Sequence, residues 1–109
     1  MMRTLFSAAA ILTVAVTQAA AFQGKCLLEV NGHAYIKGPC KVDVEKGGGF
    51  YVSTGAPMIY FARVGVDGQT AEGFWNEEPG ATHAHSPLGT LTRDGACWSN
   101  KDAKVCAWR

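Results

Sequence analysis

Cys97 and Cys106 flank a short polar tip, Lys101-Asp102, and that spacing limits the fold more than any other feature of the chain. If the tip forms a hairpin loop, counting outward sets the two cysteines opposite each other on a non-hydrogen-bonded rung. Side chains approach most closely there, so a cross-strand disulfide fits. Two further cysteines, Cys26 and Cys40, complete an even set. Four cysteines allow three pairings, and the hairpin geometry leaves Cys26–Cys40 as the second bridge. It closes a loop of about 15 residues, worth about 3 kcal/mol in unfolded-chain entropy. Zinc would instead want close pairs such as C-x-x-C, and the sequence has none.

Disulfides need an oxidising compartment, and the first residues supply a route to one. Met1-Met2-Arg3 is a positive opening, and Leu5 to Val16 is an uncharged apolar run. Thr17 to Ala21 then ends on small residues of the kind a signal peptidase reads, which predicts cleavage after Ala21. The apolar run of about 12 residues falls short of the roughly 20 that a spanning helix requires. Lys25 precedes the first cysteine, where lipoprotein processing wants a small residue. Residues 1–21 are therefore expected to be a signal peptide, and residues 22–109 one soluble domain, periplasmic or secreted, with no membrane anchor.

Arg3 leaves with such a leader, so the remaining chain carries nine basic and nine acidic side chains. A neutral chain offers no electrostatic footprint for nucleic acid or an anionic membrane.

Turn and strand signals dominate from Cys26 onward. Asn31-Gly32 between Leu27–Val30 and His33–Ile36 suits a type I′ hairpin, whose central residues both need positive φ. Gly38-Pro39 reads as a turn, and Lys41 to Glu45 alternates charged with apolar residues, as a strand with one wet face does. Lys46 to Gly49 is a loop; Phe50 to Ser53 is a strand, and Thr54 to Pro57 a turn.

Asp67-Gly68 centres a second strong hairpin between Ile59–Val66 and Gln69–Asn76. Counting from that turn sets Val64 beside Ala71, Arg63 beside Glu72, Phe61 beside Phe74 and Tyr60 beside Trp75. Residues 77–87 read as a loop, Leu88 to Thr92 as a strand and Arg93 to Gly95 as a turn. No helical periodicity follows the leader. The expected fold is all-β, a small antiparallel barrel or sandwich of seven to eight short strands. Phe50, Val52, Ile59, Phe61, Val64, Phe74, Leu88, Leu91, Trp98 and Val105 are its core candidates.

His83-x-His85 is the most chemically suggestive pair, because residues i and i+2 of an extended segment point the same way. His33, Glu77 or Glu78 could add a third donor, but two ligands alone fall short of the usual three or four. Solvated loop histidines are the plainer reading. Ser53, Ser86 and Ser99 sit in no G-x-S-x-G context, and adjacent Glu77-Glu78 would point to opposite faces of a strand. No enzyme and no cofactor is expected on these grounds. Tyr51, Tyr60, Trp75 and Trp108 suit sheet packing better than a protein- or glycan-binding patch.

Ser53-Thr54-Gly55-Ala56, then Tyr60 and Phe74-Trp75-Asn76-Glu77-Glu78, resemble the periplasmic and membrane-bound inhibitors of c-type lysozyme. The resemblance implies an exported, cysteine-linked, all-β protein. It also implies that Ser53, Thr54, Gly55, Ala56 and Tyr60 form a partner-binding loop that enters the lysozyme cleft and hydrogen-bonds its carboxylates. Pro57 and Met58 stand where that family has a lysine and a tyrosine. The partner expected is a protein, c-type lysozyme, met by a monomer or homodimer. The alternatives are a binding module for another protein or a glycan, and a metal-binding protein using His83 and His85.

Overall fold

A computed structural model describes residues 20–109. The expected signal peptide lies outside these residues apart from Ala20 and Ala21, which open the first strand. Eight strands follow: β1 (Ala20–Val30), β2 (His33–Val44), β3 (Phe50–Thr54) and β4 (Tyr60–Asp67), then β5 (Thr70–Trp75), β6 (Ser86–Asp94), β7 (Cys97–Ser99) and β8 (Ala103–Trp108). Each pairs antiparallel with the next, and β1 pairs with β8, so the meander closes into a barrel. Closure decides between the two architectures left open by the sequence, with residues 20–24 of β1 and 33–40 of β2 extending beyond their second partners.

The alternation of apolar and polar residues explains which side of each strand faces inward. Cys26, Leu28, Ile36, Val42, Val52, Val64, Leu91 and Val105 are almost fully buried and fill the interior. Lys25, Lys37, Lys41, Glu72 and Lys104 occupy exposed strand positions on the outside. A charged exterior around a packed apolar interior is the opposite of a lipid-facing barrel.

Both disulfides form as the spacing predicts. Cys97 sits opposite Cys106 with their Cα atoms 4.0 Å apart. Cys26–Cys40 joins β1 to β2 diagonally, with a Cα separation of 5.8 Å. Cys26 and Cys40 are both buried in the core cluster, so this bridge also packs. Two disulfides and no free cysteine are consistent with an oxidising, extracytoplasmic compartment.

Several local expectations give way. Gly38-Pro39 makes no turn; β2 runs through both residues, with Gly38 at φ 122°, a value glycine adopts without the Cβ clash. The strand runs on through both residues rather than reversing, paired with Cys26 and Lys25 of β1. The central hairpin turns at Gly68-Gln69, so Asp67 pairs with Thr70, Gly65 with Glu72 and Arg63 with Phe74. Gly68 alone of that turn has positive φ, at 67°, the pattern of a type II′ turn. The expected register would have put Gln69 inside opposite Val66; the observed one leaves it exposed at the tip and sets Ala71 there instead.

Arg63 and Glu72 accordingly do not pair. Arg63 meets Glu45 at 3.5 Å, and Glu72 accepts a 2.6 Å hydrogen bond from the Thr90 hydroxyl. Two core candidates also move out. Phe74 is only half-buried because its neighbour Trp75 takes the inward position, and Ile59 is 47% exposed because it belongs to the β3–β4 loop. β6 extends to Asp94, so Arg93 and Asp94 end a strand and the turn is Gly95-Ala96.

Candidate functional site

An up-and-down barrel gathers alternate loops at each end. One end collects residues 31–32, 55–59, 76–85 and 100–102. Every residue expected to bind a partner lies at this end or on the strands leading to it.

Aromatic rings seal the interior here. A register shift at Leu28/Glu29 leaves Tyr35 without a strand partner and frees it from the pleat. Its ring packs 4.6 Å from Trp75 and 5.2 Å from Tyr60, and the His33 ring lies tilted against it at 4.5 Å. Trp75 is buried and Tyr60 half-buried, so these rings are mainly a plug. Tyr51 lies apart, beneath Arg63 at 5.7 Å, and Trp108 is exposed as the last residue of β8, away from this end. The four aromatics singled out in the sequence thus form no single face.

The loop after β3 is braced from both sides. The Ile59 N–H donates to the Thr54 carbonyl at 2.8 Å, closing the loop on itself. The Ile59 carbonyl then accepts from the Asn76 side-chain amide and from the Gly80 N–H, each at 2.8 Å. Gly55, at φ 95°, tolerates no side chain, since a Cβ would lie 2.6 Å from the Pro57 carbonyl oxygen. Ser53 and Thr54 are half-buried at the strand end, and Gly55 and Ala56 are exposed beyond it. Together with Gln23, Pro39 and Lys41 they line a cleft of about 380 Å³. Lys41 is the direct register partner of Ser53.

Asn76 stands in the 74–78 segment that carries the resemblance, but its role is not announced by that motif. It is the buried polar side chain among the described residues, 5% exposed. Its Oδ1 accepts from the Phe61 N–H, and its Nδ2 donates to the carbonyls of Ile59, Glu78 and Ala81. One amide therefore ties the 55–59 loop to the 76–85 loop. The signal available was its place between a tryptophan strand and an acidic Pro-Gly turn. Asn100 plays a similar part, donating to the Leu88 and Thr90 carbonyls and accepting from the N–H groups of Asp102 and Ala103.

His83 and His85 are exposed on the 76–85 loop with ring centroids 5.3 Å apart, on one side as expected. They line a cavity of about 500 Å³ with Glu77, Glu78 and Ser86. The Ser86 hydroxyl donates to the Glu77 carboxylate rather than to an imidazole. His33 is engaged with Tyr35 on the β1–β2 hairpin. Among the described residues no group of three or more His, Cys, Asp or Glu is gathered to hold a metal ion. The histidine pair remains a two-donor arrangement, short of a closed site.

Compared with known proteins, the chain matches no family model, no curated protein and no solved structure.

Proposed function

We propose that the chain is an extracytoplasmic, non-enzymatic inhibitor of c-type lysozyme that presents the 53–58 loop to the enzyme cleft. The observation that carries this reading is the brace at Ile59. The two segments on which the resemblance rests, 53–60 and 74–78, are distant in sequence, yet Ile59 and Asn76 join them into one hydrogen-bonded unit. A loop held in this way loses little conformational entropy on binding, which is what a cleft-inserting inhibitor requires.

The charge on the loop comes from the neighbouring strand. Pro57 stands where the resemblance calls for a lysine, but Lys41 lies across from Ser53 on the rim of the same cleft. Its ammonium, 3.8 Å from Asp43 and exposed, needs only a side-chain rotation to meet a carboxylate of the partner. Ser53 and Thr54 supply hydroxyl donors beside it. An acidic cleft filled by hydroxyls, backbone N–H groups and one ammonium is occupied without offering it a bond to cleave.

A lysis assay with the purified exported protein and c-type lysozyme tests the proposal. Stoichiometric loss of lysis is expected, weakened about tenfold or more by Lys41→Ala, since hydrogen bonds to charged groups contribute about 1.5–3 kcal/mol. Gly55→Val should weaken it as well by distorting the loop. Undiminished lysis at micromolar protein would reject lysozyme as the target.

A further inference from the structure

The opposite end of the barrel carries a second site. It is built from the residue 45–49, 68–69 and 95–96 turns and from the outer ends of β1 and β8. Among the described residues no aromatic plug fills it. The inward positions nearest this rim are Phe22, Val44 and Val66, all half-buried, above a floor of buried Phe50 and Trp98. The turns over them are Gly47-Gly48 and Gly95-Ala96, which have little or no side chain to fold across the opening. The result is an open cavity of about 450 Å³. That volume falls within the roughly 300–1,000 Å³ typical of small-molecule pockets.

The charge lining the cavity has one sign, and Glu45 on the surrounding 45–49 turn is paired with Arg63. The charged residues lining the cavity are Arg93 and Arg109; no Asp or Glu is among the lining residues. The Arg109 guanidinium lies over the Phe22 ring, 4.1 Å from its centroid, which holds it at the mouth. Arg93 is tethered by its Nε–H to the Gly95 carbonyl at 3.1 Å, a bond that does not use its terminal Nη groups. An apolar well with two positioned guanidinium groups at its lip is complementary to a molecule with an apolar body and one anionic head.

We infer that this mouth binds a small anionic amphiphile, its tail against Phe50 and Trp98 and its head between Arg93 and Arg109. The site is separate from the loop proposed to contact lysozyme, and neither depends on the other. A carboxylate and a phosphate monoester offer the same head chemistry to two guanidinium groups, so the test compares both.

The exported protein is titrated with 1-anilinonaphthalene-8-sulfonate, and the bound probe is displaced with dodecanoate, dodecyl phosphate or dodecanol. We expect saturable binding of one probe, displaced by both anions more effectively than by the alcohol and less tightly held at high salt. The Arg93→Gln/Arg109→Gln variant should bind the anions about tenfold more weakly, the scale of a lost charged hydrogen bond, and the alcohol unchanged. Ala96→Trp, which places a ring at the rim, should block all three. A circular-dichroism spectrum matching the parent confirms that each variant is folded. Non-saturable binding, equal anion affinity in the double variant, or a signal that survives Ala96→Trp would overturn the assignment. A preference for dodecyl phosphate over dodecanoate would support it and identify the head group as a phosphate.

Discussion

The two ends of this barrel start from the same local chemistry, short turns between antiparallel strands, and finish differently. At one end Tyr35, Tyr60 and Trp75 fill the interior, and two asparagines tie the loops to the strands. At the other, glycine turns leave Phe22, Val44 and Val66 half-buried beneath two arginines. The difference shows how a small barrel divides its work. The sealed end ties its long loops to the strands through packed rings and side-chain amides, and the open end keeps a well. A small core makes that division costly, which explains why covalent links accompany it.

Substitutions at the two ends should separate them. Trp75→Ala removes a buried ring from the plug and should cost about 3–5 kcal/mol. Phe22→Ala, at the open rim, should cost less, about 1–2 kcal/mol, because that ring is only partly buried. Urea unfolding of both variants measures the contrast; equal losses would mean that the plug carries no more of the stability than the open rim.

The disulfides sharpen the picture at a slightly smaller scale. Replacing Cys97 and Cys106 with alanine should cost about 3 kcal/mol from loop entropy alone. Replacing Cys26 and Cys40 should cost more, since that bridge also fills the core. The order of the two unfolding midpoints checks this, and a reversed order would count against the interior role of Cys26–Cys40.

Asn76→Ala comes next. It strands a buried N–H and removes the shared donor of three carbonyls, for an expected loss of about 2 kcal/mol. Arg93→Gln at the open rim should change stability by less than about 0.5 kcal/mol. Thermal unfolding resolves both, and a neutral Asn76→Ala would break the claim that this amide joins the loops.

How much of this was legible in the sequence follows from the range of each interaction. Asn31-Gly32 and Lys101-Asp102 set their own registers, so the first and last hairpins, and the Cys97–Cys106 rung, are readable from a few residues. Asp67-Gly68 misleads by one position, because a glycine fits either a type I′ or a type II′ turn. The choice rests on whether Gln69 would be buried, which only the barrel defines.

Gly38-Pro39 carries a turn signature, yet β2 must stay continuous to pair with both β1 and β3. Barrel closure joins residues 25–30 to residues 103–108, and nothing local announces it. The candidate loop was visible as small residues. Its brace at Asn76 and its neighbour Lys41 were not, because both reach it across strands. The cavity between Arg93 and Arg109 is likewise a product of topology, with its two cations supplied by the ends of β6 and β8.

Residue-by-residue amide hydrogen exchange tests the contrast between the ends most directly. The N–H groups of Phe61, Asn76 and Gly80, which bond across the sealed end, should exchange only with global unfolding. The Gly48 N–H, bonded to the Glu45 carbonyl within its own turn at the open end, should exchange far faster. Equal protection at the two ends, or faster exchange at Phe61 and Asn76 than at Gly48, would contradict the account.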